Sequence, residues 1–241
     1  MKIFEENKMS IARPKRLLVF DVEGTLFETK VRLPSTSLDS TIWQAVAHEL
    51  GPKAVIAEIE THQKWRRGEY PNYLEWMKDT IRIHKEFGLT QNIFHRIISM
   101  AAYNSGVQKA LADVDREKFE IILVSGGFRE LAARAQRDFQ IYHAFSACEY
   151  FFGHEGLLSS YNLLPCDFDG KLYFIRLMLK EYGLGENDWL YIGDGANDVP
   201  IAKVAPISIA YRAHKDLRAV ASFCIDDFAN ITKFLEEVSQ V

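Results

Sequence analysis

The feature that most constrains this chain is four residues long. Leu17-Leu18-Val19-Phe20 is an unbroken apolar run set between Arg16 and Asp21. A strand with one wet face alternates apolar and polar residues, whereas an unbroken run bounded by charge marks a strand buried on both faces. Such a strand needs helices packed on each side, the arrangement of a parallel α/β sheet. The rest of the chain keeps to that pattern. Further strand-length apolar stretches stand at Phe119–Val124, Trp189–Ile192, Ile207–Ala210 and Phe223–Ile225. Helix-length stretches stand between and after them at Arg129–Phe139, Leu172–Tyr182 and Ile231–Val238. Cys148–Asn162 reads as a β-hairpin turning at Gly153-His154-Glu155-Gly156. The expected fold class is α/β, a Rossmann-like, doubly wound parallel sheet.

One segment breaks the alternation. From about Lys30 to Tyr103 no strand is evident, only helix-length stretches at Leu38–Leu50, Ala54–Arg67, Tyr73–Phe87 and Asn92–Tyr103. Gly51-Pro52, Gly68 and Gly88 punctuate them. At 241 residues the chain suits one large α/β domain with an insertion. The expected division is a core of residues 1–29 and 104–241 with an inserted helical domain at 30–103. Residues 1–15 read as a polar arm, and Arg13-Pro14-Lys15-Arg16 as a solvated lead-in to the first strand. Trp43, Trp65 and Trp76, at helical spacing, are expected mainly in the core of the insertion.

Composition narrows the function. A 48% apolar and 26% charged chain is of globular type, and a net charge of −4 offers no excess of positive charge for a phosphate backbone. No apolar run approaches the roughly 20 residues that span a bilayer, and Met1 to Arg16 holds no signal-peptide apolar core. Three cysteines without a CxxC pair suit a reducing, cytoplasmic setting. The seven histidines show no ligand spacing, which disfavours zinc.

Ligands of doubly wound sheets bind at the carboxyl ends of the strands, and three polar loops fall there. Asp21 and Glu23 follow the first strand, Ser125-Gly126-Gly127 the second, and Asp194 with Asp198 a third; Lys171 opens the helix before that third strand. Converging carboxylates repel one another unless a cation neutralises them, and oxygen-only ligands suit Mg²⁺. A serine hydroxyl, glycine amides at a helix start and a lysine provide what an anion needs. Cation site, oxyanion site and spare carboxylate together describe phosphoryl transfer, with a carboxylate nucleophile as one route.

These motifs resemble the haloacid dehalogenase superfamily. Asp21-Val22-Glu23-Gly24-Thr25-Leu26 resembles its first motif, DxDGT, and Val124-Ser125-Gly126-Gly127-Phe128 its second. Gly193-Asp194-Gly195-Ala196-Asn197-Asp198 resembles its fourth, and Lys171 stands at the spacing of its third. The spellings SGGF and GDGAND are most similar to the phosphoserine phosphatase-like branch, whose helical cap stands where the insertion falls. The resemblance implies that Asp21 is the nucleophile, forming an aspartyl-phosphate, and that Glu23 is the general acid and base, its backbone carbonyl also a metal ligand. It implies that Thr25 orients the first loop, that Ser125, the Gly126 amide and Asn197 hold the phosphate, and that Lys171 offsets charge. Asp194 and Asp198, with Asp21, would bind Mg²⁺. Glu23 departs from the family's second aspartate, a spelling that some branch members share and that is linked to transfer as well as hydrolysis. The branch reads the amino and carboxylate groups of phosphoserine with a cap Glu and Arg. Here Glu28 and Lys30 stand near the usual position of the first, and Arg66, Arg67 and Arg82 are substitutes for the second. Trp65-Arg66-Arg67-Gly68 either grips a second anionic group or ends a helix in solvent. The expectation is a cytoplasmic Mg²⁺-dependent phosphatase for a small phosphorylated metabolite, phosphoserine or a relative of it. The alternatives are a phosphotransferase acting on a small alcohol and a non-catalytic phospho-ligand binder.

Overall fold

The computed structural model describes residues 16–33 and 39–238. Within them the chain runs β1 (Arg16–Phe20), β2 (Val31–Arg32), β3 (Asp39–Ser40), α1 (Ile42–Leu50), α2 (Pro52–Arg66), α3 (Tyr73–Glu86), α4 (Gln91–Met100) and α5 (Val107–Ala112). It continues through β4 (Phe119–Phe128), α6 (Arg129–Phe139), β5 (His143–Phe152), β6 (Leu158–Leu163), α7 (Lys171–Tyr182) and β7 (Trp189–Gly193). Last come α8 (Val199–Ala202), β8 (Ile207–Tyr211), α9 (Lys215–Arg218), β9 (Phe223–Ile225) and α10 (Ala229–Val238). The polar arm at residues 1–15 and the Leu38 helix start lie outside the described residues.

Seven strands form one sheet in the order β6-β5-β4-β1-β7-β8-β9. Every pairing is parallel except that of β5 with β6, the expected hairpin at one edge. β1 is central, with Leu17 opposite Glu120 on β4 and Trp189 on β7. Because side chains alternate along a strand, its four apolar residues divide between the two faces. Leu18 and Phe20 join one core with Leu123 and Ile192, while Leu17 and Val19 join another with Val124, Tyr191 and Ile175 of α7. Burial on both faces is thus the physical source of the unbroken run.

The helices α1, α3 and α4 share the first of those cores, while α2 packs through Ala54 against Ala47 and Ile83. Ile42, Met77, Ile81 and Phe94 pack in one continuous cluster with Leu18 and Phe20. Their starts are set by local chemistry. Thr41 and Gln44 form a capping box on α1, Asn72 caps α3 through the Glu75 amide, and Thr90 caps α4 through the Ile93 amide. The hairpin adds a second attachment: Leu158 N donates to Leu89 O at 2.9 Å, and Gln91 N to Gly156 O at 2.8 Å.

The structure departs from the sequence expectations in detail. The segment 30–103 does hold strands, the two-residue pair β2–β3. α5, α8 and α9 are short helices that the apolar pattern does not announce. β4 runs past Val124 to Phe128, with a register shift between Ser125 and Phe128, so Ser125-Gly126-Gly127 is an irregular strand end rather than a turn beyond it. No helix among the described residues is long and apolar enough to cross a membrane.

Candidate active site

The carboxyl ends of β1, β4 and β7 meet beneath α1, α2 and α3. The loop after β1 folds back on itself, with Leu26 N and Phe27 N both donating to Val22 O at 3.0 Å. Gly24 sits there at φ +91°, a left-handed conformation open to glycine, and a methyl at this position would fall inside the carboxylate of Asp194. Asn104 fastens the loop from behind. Its side-chain amide donates to the carbonyls of Gly24, Thr25 and Phe27 at 2.9–3.0 Å.

Lys171 is the hub of the site. It is fully buried, and its Nζ donates to Asp21 Oδ1 at 2.9 Å, to Asp198 Oδ1 at 2.7 Å and to the Tyr191 hydroxyl at 3.1 Å. Asp198 is wholly buried as well. Its Oδ2 accepts from the amides of Asp194 and Gly195 at 3.0 Å, and its Oδ1 also accepts from the Tyr191 hydroxyl at 2.6 Å. Thr25 Oγ1 donates to Asp194 Oδ1 at 2.9 Å. Asp21, Asp194 and Asp198 each offer an oxygen within 4.8 Å of the others.

Three carboxylates against one ammonium leave the cluster short of positive charge. Burial, with Asp198 and Asp194 adding to it against the pull of Lys171, holds Asp21 well above the usual carboxylate range. Burial and Asp198 push Asp194 up to about 7. Lys171, despite the burial that opposes its charge, is held well above the usual lysine value by Asp198 and Asp21. A hard cation fits this donor set. All the ligands are oxygens, the cluster is under-neutralised, and Asp21 Oδ2 and Asp194 Oδ2 have no hydrogen-bond donor among the described residues.

A cleft of about 700 Å³ opens above the cluster. Asp21, Glu23, Ser125, Gly126, Asp194 and Asn197 line its floor; Thr25, Lys171 and Asp198 are buried and do not reach its surface. The Glu23 carboxyl accepts from Ile42 N at 3.3 Å, so the first turn of α1 helps to place it. Burial, with Asp167 reinforcing it against the Ile42 amide, pushes Glu23 up to about 7. Ser125 Oγ accepts from the Gly127 amide at 3.1 Å. Each of the paired glycines has its reason here. A methyl at Gly126 would overlap the Asp167 carboxyl, and one at Gly127 would come within 3.0 Å of Glu23 Oε2.

Asp167 and Tyr73 are parts of the site that sequence reasoning missed. Asp167 lines the cleft and accepts from Asn197 Nδ2 at 2.7 Å; burial holds it above the usual carboxylate range. The next residue, Phe168, stands at φ +49°, a strained position for a non-glycine residue, with its ring 5.7 Å from Tyr73 and 5.9 Å from Trp65. The Tyr73 hydroxyl donates to Gly126 O at 2.7 Å, tying α3 to the phosphate-loop candidate. The one available sequence signal for Asp167 is its place four residues before Lys171.

The three tryptophans are half-buried rather than core. Trp43 and Trp76 line the cleft, and Trp65 stacks on Trp76 at 5.0 Å. Of the three arginines, Arg66 alone lines the cleft. Arg67 pairs with Glu69, and Arg82 pairs with Asp79 and Glu86 on the outer side of α3. Glu28 and Lys30 are exposed and, unlike Thr29 between them, do not line the cleft.

The haloacid dehalogenase-like hydrolase family model matches residues 15–206. The chain therefore belongs to that family and is an enzyme, of the phosphoric monoester hydrolase type. Within the family it is phosphoserine phosphatase-like. It is 27% identical over 230 residues to phosphoserine phosphatase of Streptococcus thermophilus, spanning 94% of this chain and 98% of that protein. It is 26% identical over 228 residues to phosphoserine phosphatase of Lactococcus lactis, spanning 94% and 97%. The fold matches a phosphoserine phosphatase structure holding a phospho-aspartyl intermediate analogue, with a TM-score of 0.73 at 20% identity over 92% of this chain and 99% of that one. A substrate-bound phosphoserine phosphatase complex gives 0.73 at 19% identity, covering 92% and 99%.

Proposed function

We propose that this enzyme hydrolyses a small phosphomonoester by way of an aspartyl-phosphate on Asp21, with phosphoserine or a related metabolite as substrate. The observation that carries the reading is Asp21, held by Lys171 at 2.9 Å and facing a cleft that also presents Glu23, Ser125 and Asn197. The Asp21 carboxylate attacks phosphorus, a new P–O bond forms, and the ester P–O bond breaks. Glu23 is suited to protonate the departing oxygen, since a carboxyl titrating at about 7 keeps a proton to give at neutral pH. Ionised afterwards, it takes a proton from water, which attacks the acyl-phosphate and frees inorganic phosphate and Asp21. Ser125 Oγ, the Gly126 amide and Asn197 hold the phosphate oxygens, Asn197 leaving Asp167 to do so. Thr25 fixes Asp194, and Lys171 aims Asp21 and draws it toward the ionised form against burial.

Asp21, Asp194 and the backbone carbonyl of Glu23 would hold Mg²⁺, with Asp198 anchoring the cluster behind them. When bound, the ion offsets the negative charge of the phosphate oxygens and carboxylates. Residues 30–103 would act as a cap over a core of 1–29 and 104–241, excluding bulk water during transfer. The names of the relatives support phosphoserine as the first substrate to try, and the thiols of Cys148, Cys166 and Cys224, all unpaired, suit a cytoplasmic setting.

The test is phosphate release from a panel of small phosphomonoesters with Mg²⁺ or EDTA, for wild type and Asp21→Asn, with and without a small alcohol acceptor. Mg²⁺-dependent release that is lost in the variant is the expected result. Phosphoryl product on the alcohol in place of free phosphate would assign transfer instead. No turnover by folded, Mg²⁺-loaded protein would leave a phospho-ligand binder.

A further inference from the structure

The cleft also holds a carboxyl that the phosphate chemistry does not use. Glu58, on the face of α2 turned to the cleft, lines it and is largely sheltered from solvent. Its carboxylate has no hydrogen-bond or ion-pair partner among the described residues, and burial alone pushes it up to about 7. A sheltered carboxyl with no counter-charge is an expensive arrangement, and the missing cation is what a ligand can bring.

The lining that Glu58 shares points to the kind of cation. Trp43, Tyr73 and Trp76 line the same cleft. His62, one turn along α2 from Glu58, places its ring 5.8 Å from that of Trp76, and burial together with Arg66 lowers its pKa, so it stays neutral beside a cation at pH 7. The hydroxyls of Thr61 and Thr80 donate to backbone carbonyls of their own helices, at 2.8 and 3.2 Å from Glu58 O and Trp76 O. A primary ammonium seeks three acceptors, and the cleft sets Glu58 in one lining with the aromatic residues Trp43, Tyr73 and Trp76. A methylated nitrogen has few or no N–H groups to satisfy and binds well against such faces. Arg66 stands eight residues beyond Glu58, about 12 Å along the helix, and is exposed; the ammonium and carboxylate of one amino acid sit on a single carbon.

We propose that Glu58, with the aromatic wall of Trp43, Tyr73 and Trp76, reads an alkylated cationic nitrogen on the alcohol of the substrate, so that the preferred ester is an alkylammonio-alcohol phosphate. This rests on the hydrolase reading and names its substrate class. The probes are phosphocholine and 3,3-dimethylbutyl phosphate, which differ by N⁺ for C at the branched centre, with phosphoethanolamine and phosphoserine alongside. Wild type should favour phosphocholine over its neutral isostere by at least about tenfold in kcat/KM. In Glu58→Gln that ratio should fall to within about twofold. Calorimetric titration of Asp21→Asn, and of Asp21→Asn with Glu58→Gln, reads the same discrimination without turnover. Binding discrimination that depends on Glu58 in a protein that hydrolyses none of the esters would sink the hydrolase reading and leave this one standing. Equal handling of the two isosteres, a ratio untouched by Glu58→Gln, or phosphoserine preferred to phosphocholine would overturn it.

Discussion

Replacing Lys171 by methionine tests the electrostatic design of the site. Methionine is about as long as the lysine stem, so volume is nearly kept while charge is removed. Lys171 is fully buried, 2.9 Å from Asp21 and 2.7 Å from Asp198, with Asp194 the third carboxylate of the cluster. Without it, three carboxylates share a buried space that holds no cation. Removing one partner of a buried pair costs about 3–5 kcal/mol because the other charge is stranded. In a chain of this size one kcal/mol moves the melting temperature by about 2–4 °C, so metal-free Lys171→Met should melt roughly 6–20 °C lower at pH 8. The loss has a direction in pH. Burial and its acidic neighbours already hold Asp21 above its usual range, and removing Lys171 raises it further. The folded variant then binds protons that the unfolded chain does not, so its stability is lost as pH rises and regained as pH falls. Thermal melts in EDTA at pH 8 and pH 5.5 read both effects. Adding Asp198→Asn to the variant should recover part of the loss by removing one stranded charge. A variant that melts within about 2 °C of wild type at pH 8, or whose deficit is the same at both pH values, would refute Lys171 as the counter-ion.

Three further outcomes are expected. His84 is fully buried, with Nδ1 2.7 Å from the Tyr150 hydroxyl, and burial pushes it down to about 3. The unfolded chain therefore binds the extra proton, and the stability that is whole above about pH 6.5 falls by about 2 kcal/mol at pH 5; urea titrations at pH 7 and 5 should show that drop shrinking in His84→Asn, and an unchanged drop would discount it. Mg²⁺ should raise the melting temperature of wild type, by about 2.7 kcal/mol of stability at a hundredfold excess over its Kd, and do so far less for Asp194→Asn; an equal rise in both would move the metal site elsewhere. Gly126→Ala should lose about 10²-fold in kcat/KM by driving the strand end away from Asp167, with partial recovery when Asp167→Gly is added, and an unimpaired single variant would show that Asp167 has room to yield.

The parts of this protein legible in its sequence are those where burial leaves a simple mark. β1 and β7 read clearly because two buried faces leave an unbroken apolar run, and β4 because Ile121–Val124 does the same after Glu120. Asp21, Ser125 and Asp194 were found because each follows such a strand, and Lys171 by its distance from Asp194. The rest depends on approaches the chain makes only after folding. β2 and β3 have two residues each, α8 and α9 four, too few for any period to show. Tyr73 reads as an ordinary helix start, and its hydroxyl meets Gly126 across 53 residues. Asp167 gains its place from Asn197, thirty residues on. Nothing in spacing separates Glu58 from Glu60, two positions along the same helix; one is sheltered in the cleft and the other exposed. Trp43 and Trp76 carried the spacing of a core stripe, and that spacing is the same whether the stripe meets a neighbouring helix or a cavity.

The position of β1 at the centre of the sheet has a consequence for synthesis. It leaves the ribosome first among the strands, yet its partners are β4, about a hundred residues later, and β7, ending at Gly193. At about 5–20 residues per second, the wait between completing β1 and completing β7 is roughly 9–35 seconds. Until β4 is complete neither edge of β1 is paired, and the edge that takes β7 stays open to the end of that wait. Nascent chains of this protein should therefore be strong clients of ribosome-associated chaperones, and premature termination anywhere before β7 should give an insoluble product rather than a smaller folded one.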